Sequence, residues 1–130
     1  MKTIIAGSRS ITDPAVLRDA LVKIDYTITE VISGGCPQGA DALGEAWAQE
    51  NNIPLIIYKA NWDKYGRSAG MIRNELMASV ADACICLWDG VSKGTAHMAE
   101  IAEETGIPVL VHVTPRTEQR VRLKPLKSIT

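Results

Sequence analysis

Four short stretches of this 130-residue sequence combine glycine with side chains able to hold an anion. Gly7, Ser8 and Arg9 form the first, and Gly34, Gly35, Gln38, Gly39 and Asp41 the second. The third contains Trp62, Arg67, Gly70, Arg73 and Asn74, the fourth Asp89, Gly90, Lys93, Gly94 and Thr95. Glycine lets a backbone take positive φ and come close to a bound group. Arginine offers a phosphate two parallel hydrogen bonds, and lysine a compact charge. Asp41 and Asp89 can accept from hydroxyl or amine donors of a ligand, or cap a helix. Trp62 or Tyr65 offers an aromatic face for stacking. Together these residue types suit the capture of a phosphorylated small molecule.

Other chemistries find less support. Gly34 and Gly39 have the glycine spacing of a phosphate loop, but Ala40-Asp41 stands where Lys-Ser/Thr would hold phosphate and magnesium. No GxGxxG follows the first apolar run and no GxSxG occurs, which removes the dinucleotide fingerprint and the serine-hydrolase elbow. His97 and His112 lie in separate segments, so neither a triad nor a metal site is expected, and no cofactor. Cys84 and Cys86 alternate on one face of a buried strand and read as small core hydrophobes. Cys36 sits in a glycine-rich loop with no evident base to activate it. Three cysteines are too few for a disulfide framework, and the first apolar stretch is too short for a signal peptide. No run reaches the roughly 18–20 apolar residues of a membrane span. The expectation is a cytoplasmic protein without membrane contact.

The elements that must position these stretches follow from periodicity. Apolar runs at Lys2–Ala6, Glu30–Ser33, Leu55–Tyr58, Cys84–Trp88 and Pro108–Val113 read as strands. Asp13-Pro14 reads as an N-cap and first helical residue, with Leu17, Ala20, Leu21 and Ile24 on one face. Further helices are expected over about 40–51, with Leu43, Ala46, Trp47 and Glu50 at helical spacing, over about 68–80, and over about 95–104. The last would carry Met98, Ile101 and Ala102 inward and end at Gly106. Residues 62–67 read as a loop. Strands alternating with helices predict a Rossmann-like, three-layer α/β/α domain over 1–113, with a five-stranded parallel sheet in the order 3-2-1-4-5. Residues 114–130 read as a basic tail, in which Val121-Arg122-Leu123 could add an edge strand. Eight of the ten glycines then fall after strands, at the carboxyl edge where open α/β sheets bind ligands.

The formal net charge of −1 argues against a general duplex-DNA binder. It conceals an uneven distribution. Residues 1–115 hold 9 Lys+Arg against 14 Asp+Glu, whereas 116–130 hold five cations against Glu118. Arg9, Lys64, Arg67, Arg73 and Lys93 concentrate at the expected ligand edge.

Read together, Ile4-Ile5-Ala6-Gly7-Ser8-Arg9 and Ser33-Gly34-Gly35-Cys36-Pro37-Gln38-Gly39-Ala40-Asp41 resemble the opening motifs of the SLOG superfamily, in its YspA/YpsA-related branch. Ala69-Gly70-Met71-Ile72-Arg73-Asn74-Glu75-Leu76-Met77 is similar to that branch's AGxxRNxxM helix start, and Trp88-Asp89-Gly90 with Gly94-Thr95 to its DG…GT loop. The resemblance spans about residues 1–113 in order. It implies a Rossmann-like domain that binds a nucleotide or nucleotide-derived ligand, sensing or sequestering it, and a homo-oligomer. Relatives include the lonely-guy phosphoribohydrolases, DNA-processing protein A and nucleotide-sensing domains of bacterial conflict systems. Nucleoside deoxyribosyltransferases carry a similar loop on a related fold. The N-glycosidic enzymes among these show GTxxE, whose Glu serves the sugar carbon. Here Met98 occupies that position, and a thioether can neither act as a base nor stabilise an oxocarbenium-like centre. Glu100 lies about 200° around the helix from that position. The resemblance with this departure implies binding without catalysis. The alternative is an N-glycosidic hydrolase or transferase of nucleoside monophosphates with its carboxylate relocated to Asp41, Glu75 or Asp89. Nucleic-acid binding ranks below both.

Overall fold

The computed structural model describes residues 1–114. Its five parallel strands are β1 (Lys2–Gly7), β2 (Glu30–Ser33), β3 (Leu55–Ile57), β4 (Ala83–Trp88) and β5 (Val109–Val113). They lie in the expected order, β3-β2-β1-β4-β5. β1 is the central strand, pairing Lys2 with Glu30 on one side and Ile5 with Ile85 on the other. A central parallel strand is covered on both faces, which is why Ile4-Ile5-Ala6 is a continuous apolar run rather than an alternating one.

Successive side chains point to opposite faces, so the sheet has two cores. On one face Ile5, Val31, Ile85 and Leu87 pack with residues of α1 (Pro14–Leu21) and α2 (Ala40–Glu50). On the other, Ile4, Ala6, Ile32, Cys84 and Cys86 pack with residues of α4 (Ala69–Val80) and α5 (Lys93–Thr105). Cys84 and Cys86 are fully buried there with their sulfurs 3.6 Å apart.

Local chemistry accounts for the boundaries. The Asp13 carboxylate accepts from the Ala15 N–H, and Pro14 starts α1. That helix closes at Leu21, so Ile24 packs against the core from the turn beyond it. The inward face of α2 differs from the expected one. Ala40, Gly44 and Ala48 are buried, Leu43 and Trp47 flank the core, and Ala46 faces solvent. A Cβ on Gly44 would sit 2.8 Å from a methyl of Ile5, so the small residues set how closely α2 approaches β1. Residues 62–67, expected as a loop, instead fall in the one-turn helix α3 (Trp62–Tyr65) and a 3-10 turn (Gly66–Ser68), and α4 starts one residue later than expected. Asn61 caps α3 by accepting from the Lys64 N–H, and four residues are too few to leave a periodic signature. α5 begins at Lys93, two residues before the expected start, and ends at Gly106 with φ 88°. Val121-Arg122-Leu123 and the rest of the basic tail lie outside the described residues.

Candidate ligand-binding cleft

β1 ends at Gly7, which lies beside Leu87 of β4. A Cβ there would collide with the Leu87 carbonyl, to which the Ser8 N–H donates at 2.9 Å. Gly39 has φ 77°, and a Cβ on it would strike the Arg9 backbone. This close passage lets the Ala40 N–H donate to the Ser8 carbonyl at 3.2 Å, tying the first two loops together. Ser8 itself is buried. Its hydroxyl accepts from the Asp89 N–H at 3.0 Å and pairs with the Thr95 hydroxyl at 3.3 Å. Gly35 packs against Ile57 and Lys59. Ser8, Gly35 and Gly39 thus hold the loops in place and do not line the cleft.

The other sequence-derived candidates, Gln38, Lys64, Tyr65 and Gly90 excepted, converge on one cleft of about 700 Å³ at the carboxyl edge of the sheet. Gly7 and Arg9 line it from the first loop, Gly34 and Asp41 from the second. Trp62, Arg67, Gly70, Arg73 and Asn74 line it from the third region, and Asp89, Lys93, Gly94 and Thr95 from the fourth. Gly70 and Gly94 belong to the first turns of α4 and α5 rather than to the loops before them. Trp62 is 57% exposed, and its ring lies near Gly70, where a Cβ would be 3.6 Å from it. Tyr65 instead carries the Lys64 ammonium 5.1 Å from its ring centre and is not part of the lining.

The two carboxylates are tied differently. Asp89 is 2% exposed. One of its oxygens accepts from the Val91 and Ser92 N–H groups at 2.9 and 2.8 Å, the other from the Ser10 hydroxyl at 3.0 Å. Burial pushes its carboxyl up, but these bonds and the Ser8 hydroxyl outweigh that and hold its pKa down to about 2. Asp89 therefore acts as the staple of the loop before α5. Asp41 accepts from the Cys36 N–H at 3.0 Å. Burial raises its pKa, and that N–H together with Arg73 and Arg9 offsets the rise only in part. Arg73 donates through Nη1 to the Gly34 carbonyl at 2.8 Å and through Nε to Asn74 Oδ1 at 3.0 Å. A side chain on Gly34 would strike this guanidinium.

The lining also includes Cys36, His97 and Met98, together with Met71, Met77, Val91 and Ser92, which the sequence does not single out as ligand contacts. Met77 and Met98 are buried on the inward faces of α4 and α5, so helical periodicity marks them as core, and they form the cleft floor as well. Thr95 donates to the Ser92 hydroxyl at 3.1 Å, a bond between the start of α5 and the loop before it. Among the described residues, no three His, Cys, Asp or Glu side chains gather closely enough to hold a metal ion.

An open parallel sheet with a cleft over the carboxyl ends of β1 and β4, lined by four cations and the starts of α4 and α5, defines a Rossmann-like domain with its cleft where such sheets bind ligands. The chain belongs to the YspA, cpYpsA-related SLOG family, which it matches over residues 1–65. Membership points to a nucleotide-ligand-binding domain. The chain is also similar to the Gene 61 protein of Mycobacterium phage D29, with 34% identity over 119 residues, covering 84% of this chain and 94% of the phage protein. No solved structure matches. Among the described residues, no helix is long and apolar enough to cross a membrane.

Proposed function

We propose that this protein binds a nucleotide or nucleotide-derived small molecule in the cleft, sensing or sequestering it without catalysis. The observation that carries this reading is the convergence of Arg9, Arg67, Arg73 and Lys93, from three separate regions of the chain, on one cleft whose two carboxylates are both engaged. Four cations in one cleft favour a ligand with phosphate charge. The N–H groups at Lys93, Gly94 and Thr95 have no preceding carbonyl within α5 to bond, which suits the same charge. Trp62 and Met71, both largely exposed at the rim, suit a base. Binding without turnover fits Met98, whose buried thioether lies where an N-glycosidic relative would place its carboxylate.

A cytoplasmic setting and self-association belong to the same reading. Leu76 and Val80 on α4 and Ile56 on the edge strand β3 are exposed apolar residues suited to contact with a second copy.

One observation favours the N-glycosidic alternative: Asp41 is a cleft carboxylate that holds its proton more tightly than usual. Incubation with a panel of nucleotides, followed by thermal denaturation and chromatography of the mixture, separates the two. A raised Tm with intact nucleotide supports the binder. Released base supports the enzyme. No change in Tm at millimolar nucleotide would remove both readings.

A further inference from the structure

We propose that His97 is a specificity-determining residue of this cleft, locked in one tautomer so that its Nε2–H meets a phosphate oxygen of the ligand. The inference rests on the nucleotide-binding reading and deepens it by assigning a neutral donor to the phosphate, beside the cations.

Arg73 sets the orientation of the Asn74 amide. A guanidinium only donates, so the Asn74 atom 3.0 Å from its Nε must be the amide oxygen. The Asn74 nitrogen then points the other way, toward the Gly94 carbonyl at 3.4 Å and His97 Nδ1 at 3.1 Å. A backbone carbonyl only accepts, so the Gly94 contact independently requires the same orientation. Asn74 is 5% exposed, and its amide is held from both sides. An NH2 group donating to His97 Nδ1 needs a lone pair there, which places the ring proton on Nε2. His97 lines the cleft, and with Nδ1 turned to Asn74 its remaining polar edge is the one carrying Nε2.

The class of acceptor follows from position. His97 stands in the second turn of α5, and helical side chains lean toward the N-terminus. Its ring is therefore carried toward Lys93 and Gly94, the cleft residues at the start of that helix. The other end of the relay is Arg73, anchored on the Gly34 carbonyl. The Arg73–Asn74–His97 series thus spans the second and fourth loops and presents donors at both ends. A phosphate group supplies acceptors for both.

The test has two parts. Long-range 15N–1H correlation spectra of the ligand-free protein at neutral pH should show His97 protonated at Nε2 and bare at Nδ1. Asn74→Ala should release this into a mixture of tautomers. Calorimetric titration then compares adenosine, guanosine, cytidine and uridine 5′-monophosphates with the matching nucleosides. His97→Ala and His97→Asn should weaken the bound monophosphate about tenfold, as expected for loss of one hydrogen bond to a charged acceptor. His97→Gln, whose amide nitrogen reaches the position of Nε2, should stay within about twofold of the parent under the same reasoning. Nucleoside affinities should not change. A proton on Nδ1, unchanged monophosphate affinity in His97→Ala, or equal losses for nucleoside and monophosphate would each overturn the proposal. If the parent protein binds neither monophosphates nor nucleosides, the nucleotide reading falls and the assignment to phosphate with it, whereas binding that ignores His97 removes this inference alone.

Discussion

Replacing Asp89 by Asn isolates the charge of the loop staple, because an amide oxygen can still accept from the Val91 and Ser92 N–H groups. The folded protein holds the Asp89 pKa at about 2, against 3.8 for the free group. At roughly 1.4 kcal/mol per pKa unit, the difference corresponds to about 2 kcal/mol, and water in the open cleft reduces the observable part to about 1–2 kcal/mol. The folded pKa lies below the unfolded one, so as pH falls the unfolded chain takes up its proton first. The contribution is therefore whole above about pH 5 and disappears by about pH 2. Urea denaturation followed by tryptophan fluorescence should show Asp89→Asn less stable than the parent by that amount at neutral pH, with the gap closing as pH falls. Asp89→Ala should lose about a further 1–2 kcal/mol at every pH, because the two N–H groups then lack their acceptor. A gap that does not change with pH, or none at neutral pH, would refute the reasoning that these hydrogen bonds stabilise the ionised form.

Asp41 predicts the opposite sign: its raised pKa means that ionised Asp41 opposes folding at neutral pH, so Asp41→Asn should unfold at higher urea there and lose the advantage in acid. Gly39→Ala should cost about 3 kcal/mol or more, since a Cβ meets the Arg9 backbone at positive φ, and a fall in the urea midpoint reads this directly. Met98→Ala should cost about 2–5 kcal/mol by opening a cavity under the cleft, measured in the same way. Arg67→Ala and Lys93→Ala remove exposed side chains, so stability should stay within about 0.5 kcal/mol. Nucleotide affinity should fall several-fold in each, with a shallower salt dependence by calorimetry.

Much of the architecture was legible because the inner strands β1, β2 and β4 are buried on both faces and α1 and α5 carry a cap or a stop. Asp13-Pro14 and Gly106 mark their helix ends in the structure as they do in the sequence. What escaped has physical causes. The inward face of α2 consists of Ala40, Gly44 and Ala48, which barely register on a hydrophobicity pattern, so larger Leu43 and Trp47 drew the assignment to themselves. The turn at Trp62–Tyr65 rests on one Asn61 cap and has no period to detect. The glycine loops pointed to the right edge of the sheet, but glycine alone does not distinguish close approach to a ligand from close approach to another loop. Gly39 and Gly35 are of the second kind. Ser8 and Thr95, attractive as donors to a ligand, bond to each other, which only their packing across β1 and α5 reveals. His97 became informative once Asn74 was seen to fix its ring, a contact between residues 23 positions apart.

The central claim, that the cleft holds a nucleotide-derived ligand and leaves it intact, is tested most directly by native mass spectrometry of the protein freshly purified from cells that carry its natural ligand. The account predicts a discrete mass adduct that dissociates as an intact nucleotide-type molecule and is lost in an Arg73→Ala, Lys93→Ala variant that remains folded. An unadorned mass, together with a Tm unmoved by any nucleotide at millimolar concentration, would contradict it.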